Sequence, residues 1–301
     1  MIEIEKVTKK FGSFTAIEDL SITVEEASIY GLVGYNGAGK TTLLKTVSGV
    51  YRPDGGAVRL FGENVFDNSK VKQRLFYIPD DLYFQPYTTM RKMAKFYRGY
   101  YPRFNLDTFH NLVEVFGLDP TKRINGFSKG MQRQAEIILG LSTHPDVLLL
   151  DESFDGLDPQ KREIVRKILL EYVAESGASV IISSHDLHDL GNMCDRIGLI
   201  NAKHLALDAK IDEISENRCK FRLAFQEEKK KEDFSGIDYS GLKQDGKIIE
   251  ITVRANADEA EQKLKAMEPA LIERLPLTLE EIFLDEMEGT DYDFSKIFAG
   301  Q

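Results

Sequence analysis

Apolar residues in the first part of the chain fall in short runs separated by turns. The runs at 2–7 (IEIEKV), 20–24 (LSITV) and 29–33 (IYGLV) predict strands, the last leading straight into a glycine-rich segment. Leu43, Leu44 and Val47 then recur at helical spacing, predicting a helix from about Lys40 that stops near Gly49. Arg52-Pro53-Asp54-Gly55-Gly56 predicts a turn and 57–61 a further strand. From about 81 to 141 the pattern is helical, with helices over 106–116, ended by Gly117, and over 131–141. Alternation returns at 147–150, where an unbroken VLLL is what a parallel strand covered on both faces shows. Asp158 and Pro159 predict the N-cap and first position of a long helix that Gly177 closes, and 180–183 and 197–200 predict two more buried strands. Strands interleaved with helices predict an α/β fold: a mainly parallel sheet with a helical insertion.

After about residue 208 the texture changes. Segments 219–225 and 247–254 alternate by twos, a solvated run (EEKKKED) lies between them at 227–233, and 257–267 predicts an amphipathic helix. The chain therefore predicts two domains: 1–208, with a helical subdomain at about 81–141, and a small accessory α+β domain over 209–301 without catalytic motifs. The acidic excess and placement of that second domain lead us to expect that it supports contact between two subunits.

Composition narrows the function classes. With 301 residues and 42% of them hydrophobic, the chain can bury a sizeable core, which excludes wholesale disorder. No apolar run approaches the roughly 18 residues that a membrane-spanning helix needs, and the opening MIEIEKVTKKFG does not read as a secretory signal. Cys194 and Cys219 are too few for a disulfide scaffold and read as buried small hydrophobes in a reducing compartment. A soluble chain on the cytoplasmic side of the cell is expected. The net charge of −10 is uneven: residues 205–301 carry 14 basic and 23 acidic side chains, which argues against nucleic acid as a partner.

Gly34-Tyr35-Asn36-Gly37-Ala38-Gly39-Lys40-Thr41 matches the phosphate-binding pattern G-x-x-x-x-G-K-S/T. Gly34, Gly37 and Gly39 let the backbone curl so that its N–H groups, Asn36 among them, face a β-phosphate. The helix that follows points its N-terminus at the same charge. Lys40 is expected to reach the β- and γ-phosphates, Thr41 a Mg²⁺ ion and Thr42 the α-phosphate. Downstream, the apolar strand after Asp146 ends in Asp151 and Glu152. Asp151 suits the water shell of the metal, and Glu152 suits an attacking water beside the γ-phosphate.

Between these motifs stands Phe127-Ser128-Lys129-Gly130-Met131-Gln132, which resembles the signature loop of the ABC-type ATPases in the S-K-G-M form found in many bacterial exporters. The resemblance covers about 1–207. It implies a P-loop NTPase (RecA-like) core with an antiparallel β subdomain and a helical subdomain. It further implies a D-loop at Gly156-Leu157-Asp158, a switch histidine at His185 and an adenine-stacking aromatic at Phe11. ATP and Mg²⁺ would be bound between two subunits in a head-to-tail dimer. Nucleotide on Lys40 of one subunit would be closed over by Ser128 and Gly130 of the other, a homodimer or a paralogue. Glu152 would be the catalytic base and His185 the γ-phosphate contact. Three departures from the family pattern stand out. Asp80 replaces the usual glutamine as a possible metal contact, with Gln85 nearby. Lys129 and Met131 replace glycine and glutamine. Ser153 replaces proline after the glutamate.

The aromatic stretch from Tyr83 to Phe104, with Arg91, Lys92 and Arg98, fits either the core of the helical subdomain or a groove that receives helices of a separate transmembrane permease. TLEEIFL at 278–284 resembles a segment that closes many exporter ATPase subunits. The function expected is the ATP-hydrolysing subunit of an ABC exporter at the cytoplasmic side of the membrane. A soluble translation-associated or regulatory ABC protein is the alternative, disfavoured by the single nucleotide domain and the acidic tail. A small-molecule P-loop kinase does not fit the signature loop.

Overall fold

The structure is a computed structural model that describes residues 1–185, 187–213, 218–275, 277 and 281–282. The chain divides into two compact units, Met1–Asp208 and Ala209–Gln301.

The first unit is built on a six-stranded sheet. Its members are β3 (Ile29–Val33), β6 (Leu75–Ile78), β7 (Val147–Asp151), β8 (Ser179–Ser184), β9 (Arg196–Asn201) and β10 (His204–Lys210), in the order β10-β9-β3-β8-β7-β6. The pairs β3–β8, β3–β9, β6–β7 and β7–β8 are parallel, and β3, β7 and β8 have no exposed residue. That burial explains their unbroken apolar runs. The register sets Val33 opposite Ser184, and Asp151 opposite Ser183. The carboxyl ends of three buried strands thus open at one edge, where α/β sheets place their ligands.

Beside this sheet, β1 (Ile2–Phe11), β2 (Phe14–Val24), β4 (Gly55–Leu60) and β5 (Glu63–Asn64) form an antiparallel sheet in the order β2-β1-β4-β5. β1 and β2 are longer than the runs at 2–7 and 20–24 predict. The register shifts between Ile4 and Val7 and again toward Lys10, with Lys6 and Asp19 at positive φ, so the period-two pattern breaks while the pairing continues.

Helix α1 (Lys40–Val47) follows β3, the single turn α2 (Ser69–Lys72) precedes β6, and α6 (Pro159–Ser176) follows β7. The helical insertion holds α3 (Met90–Arg98), α4 (Leu106–Phe116) and α5 (Lys129–Ser142). Thr89, Asn105 and Ser128 cap them by accepting backbone N–H groups, and Asp158 caps α6 in the same way ahead of Pro159. Each such cap is worth about 1 kcal/mol. Gly117 and Gly177 end α4 and α6 in the left-handed conformation, as the sequence pattern predicts. The short α7 (Leu187–Gly191) lies between β8 and β9.

The aromatic stretch divides between the two readings. Phe84 is buried, and Tyr97 and Tyr101 are half-buried against the Phe76 ring at 5.3 and 5.6 Å. Tyr83, Tyr87, Phe96 and Tyr100 are exposed.

The second unit is an antiparallel sheet of β12 (Tyr239–Asp245), β13 (Ile248–Val253), β11 (Cys219–Ala224) and β14 (Leu271–Leu275), with helix α8 (Ala257–Lys265). One face, including Phe221, Leu223, Ile249 and Ile251, packs with Ala260 and Leu264 of α8. On β11 and β13, Lys220 and Arg222 pair with Glu250. β12 and β14 are absent from the sequence expectation because they are half polar and short of alternation, as suits the two edges of a sheet. Of the segment at 278–284 only Glu281 and Ile282 belong to the described residues.

One buried acid stands apart. Glu136 on α5 is 7% exposed, its Oε1 accepts the Tyr97 hydroxyl at 3.1 Å, and its Oε2 has no hydrogen-bond partner. Burial raises its carboxyl to about 7, against the opposing influence of Tyr97 and Arg133. Because the folded protein holds this proton more tightly than the unfolded chain, the contribution of Glu136 to stability is fully present in acid and falls as pH rises from the unfolded value through neutrality. The charged form costs on the order of 3 kcal/mol above that range. Glu136→Gln is expected to raise the melting temperature by several degrees at about pH 8 and to leave it nearly unchanged at about pH 5. Thermal unfolding across that range checks it, and equal effects at both ends would be against it.

Candidate nucleotide site

The loop between β3 and α1 is shaped by its glycines. Gly39, the N-cap of α1, has φ 113°, and a Cβ there would come within 2.5 Å of Ile17 Cγ2 and 2.9 Å of the Ala16 carbonyl oxygen. Only glycine fits, for both conformation and space. A glycine cap offers no side-chain acceptor to the first N–H groups of α1, whereas a side-chain oxygen accepts one or two of the first N–H groups of α3, α4, α5 and α6. Gly34 is buried under the Ile200 carbonyl, while Asn36 and Gly37 are exposed on the outer curve. Thr41 and Thr42 sit half-buried at the start of α1.

Lys40 is 5% exposed, and its ammonium is held within the loop. Nζ donates to the Gly34 and Tyr35 carbonyls at 2.6 and 3.4 Å and lies 3.1 Å from Glu152 Oε1. Glu152 directly follows β7 with φ 46°, a left-handed conformation that a branched or long side chain adopts only when its surroundings impose it. Ser183 imposes it: both its carbonyl and its Oγ accept the Glu152 N–H, at 3.2 and 3.0 Å. The other Glu152 oxygen, Oε2, is 2.9 Å from His185 Nδ1. Burial pushes the Glu152 carboxyl up, but the His185 hydrogen bond and the Lys40 ammonium outweigh it and hold it below the usual range. In turn, the bond to Glu152 raises His185 above its ordinary value, against partial desolvation.

Asp151, the last residue of β7, is fully buried. Its Oδ1 accepts the Ser183 hydroxyl at 2.7 Å and its Oδ2 the Tyr77 hydroxyl at 3.1 Å. No lysine or arginine among the described residues forms an ion pair with it. A buried carboxylate held by neutral donors alone suits a hard divalent ion such as Mg²⁺. Asp80 is less clearly placed for that role: its carboxylate is 55% exposed and lies 3.4 Å from Arg133 Nη2. Desolvation raises Asp80, with Arg133 opposing and Asp151 adding to the rise.

At the base platform Phe11 is 45% exposed and meets Tyr51 edge-on at 5.3 Å, with Lys9 Nζ 5.5 Å over the ring. At the start of α5, Ser128 Oγ accepts the Met131 N–H at 3.3 Å. A Cβ on Gly130 would come within 2.5 Å of the Gly156 carbonyl oxygen, so this position is closed to any side chain.

The structure brings Lys40, Glu152 and His185 into one contact group, with Asp151 joined through Ser183. The sequence reading missed the hydroxyls of Tyr77 and Ser183, the guanidinium of Arg133, and Tyr51. It also missed Asp155, which lies with Glu152 and His185 so that one ligand atom from each falls within 4.8 Å of the others. Tyr77 carried a readable signal, since it is the one residue with a polar group in the short apolar strand β6. Asp186 lies outside the described residues.

The family model that matches is "ABC transporter", over residues 17–155. The chain is 29% identical over 293 residues to the ABC transporter ATP-binding protein YtrB of Bacillus subtilis, covering 96% of this chain and 99% of that protein. It is 31% identical to the bacitracin transport ATP-binding protein BcrA of Bacillus licheniformis, over 75% of this chain and 74% of the relative. The fold matches the solved structure of the ATP-binding subunit of an ABC transporter with a TM-score of 0.67 at 24% identity, over 71% of this chain and 91% of that one. No helix among the described residues is long and apolar enough to cross a membrane. On these matches the chain belongs to the ABC transporter family, as an ATP-binding, ATP-hydrolysing subunit.

Proposed function

We propose that this protein powers an exporter, working as one of two ATPase subunits that associate head to tail on ATP at the cytoplasmic face of a separate transmembrane permease. The observation that carries this reading is the contact group of Lys40, Glu152 and His185 around a phosphate loop whose helix N-terminus has no internal acceptor. The S-K-G-M form of the signature loop supports export.

In this reading the exposed loop amides, Lys40 and Thr42 bind the triphosphate, and Phe11, braced by Tyr51, stacks on the adenine. Stacking contributes on the order of 1–3 kcal/mol with little base preference. Thr41 and Asp151 hold Mg²⁺, with Asp80 as a further contact. Mg²⁺ bound there would offset the negative charge of the phosphates. Lys40 leaves Glu152 for the phosphates, which frees the carboxylate to orient water and accept its proton. His185 then donates to the γ-phosphate. Ser128 and Gly130, on an exposed helix N-terminus, close over the partner's nucleotide. The exposed aromatics Tyr83, Tyr87, Phe96 and Tyr100, beside Arg91, Lys92 and Arg98, receive the permease.

Light scattering on Glu152→Gln protein is expected to show a monomer that becomes a dimer only with ATP and Mg²⁺, and Lys40→Ala is expected to abolish the shift. A protein that binds ATP yet never pairs would replace the homodimer with two different subunits. A second expectation concerns the proton on His185. In nucleotide-free protein its titration midpoint, followed by imidazole NMR signals, should lie above about 6.5 and fall toward that value in Glu152→Gln. A midpoint unmoved by the substitution would remove the Glu152–His185 contact from the mechanism.

A further inference from the structure

Asp151 is gripped from both flanks of its strand. On one side β8 supplies the Ser183 hydroxyl to Oδ1, and on the other β6 supplies the Tyr77 hydroxyl to Oδ2. The second grip differs in where it leads. β6 passes directly into Pro79 and Asp80, at the entrance to the helical insertion, and both carbonyls are held by Arg133 of α5, at 2.5 and 2.7 Å. Arg133 is 5% exposed, so this clasp is part of the packed interior. Asp80, in the place where the family resemblance puts a metal-facing glutamine, turns its carboxylate to the same guanidinium.

We propose that Tyr77 is the positioning residue that sets the Asp151 carboxylate for Mg²⁺, and that β6 and this hydroxyl, more than Asp80, join the helical insertion to the metal site. The proposal rests on the reading above in which Asp151 serves the metal.

A phenolic O–H suits this task in three ways. It aligns a carboxylate without neutralising it, whereas a lysine or arginine in its place would compete with the cation. A phenol ordinarily ionises only well above neutrality, so it remains a donor throughout the working range. Its ring has only two rotatable bonds, and the parallel register that sets Tyr77 opposite Leu149 and Ile78 opposite Leu150 fixes the strand from which it reaches. A slide or tilt of β6, pulled at Pro79 and Asp80, is therefore delivered to Oδ2.

The test is Tyr77→Phe in the full chain, which keeps the ring and removes one oxygen. Binding of Mn²⁺ in the presence of a non-hydrolysable ATP analogue, read by electron paramagnetic resonance, is expected to weaken about tenfold. Analogue binding without metal should stay at the parent value. Turnover should recover most of its maximal rate when Mg²⁺ is raised, a KM effect in metal. Asp80→Asn, measured alongside, is expected to lose less metal affinity than Tyr77→Phe. Parent-like Mn²⁺ affinity in Tyr77→Phe, an equal loss of metal-free analogue binding, or a larger loss in Asp80→Asn would each overturn the proposal. If the parent itself binds and turns over ATP without regard to Mg²⁺, the reading of Asp151 falls, and the proposal falls with it.

Discussion

One hydroxyl organises the site. Ser183 Oγ donates to Asp151 and accepts from the backbone of Glu152, so two adjacent carboxylates that would otherwise leave the strand together are sent to different tasks. Asp151 stays inside the sheet with its oxygens fixed. Glu152 is turned through a left-handed backbone conformation, which aims its side chain across the sheet edge toward Lys40 and His185. A strained conformation of this kind costs on the order of 1–3 kcal/mol and lasts only because three buried strands hold both serine and glutamate in register. The large apolar investment in β3, β7 and β8 is what keeps a few polar groups at their separations.

The nucleotide-free arrangement is also an electrostatic balance. A lysine as buried as Lys40 needs a negative neighbour, and Glu152 provides it together with two carbonyls. In the function proposed above, a triphosphate entering the loop would offer Lys40 a stronger partner and draw the cation away from the carboxylate. Binding and readiness for hydrolysis would then share one ion pair, since occupying the loop would release the Glu152 carboxylate.

Much of this was legible in the sequence because burial and chemistry left different marks. Unbroken apolar strands, a glycine-lysine loop and paired carboxylates at a strand end locate Lys40, Asp151 and Glu152 without any structure. The legibility fails where a pattern is interrupted or a role depends on neighbours. Bulges at Lys6 and Asp19 hide the true length of β1 and β2, and the polar edge strands β12 and β14 lack an apolar face strong enough to read. Glu136 looks like one more charge on a helix until three dimensions bury it against Tyr97. The partner of Tyr77 is visible only through register, since the strand it touches is some seventy residues away in the chain. Asp80 shows the converse, a position whose family role is readable while its side chain in this protein turns to Arg133.

The contact between Gly130 and the Gly156 carbonyl has a mechanical consequence. With no room for even a methyl group between them, the serine loop at the head of α5 and the turn beyond Glu152 cannot slide past each other, and they mesh like adjoining teeth of one gear. A displacement of the serine loop therefore carries with it the turn that holds Asp155 and Asp158, directly after Glu152 in the chain.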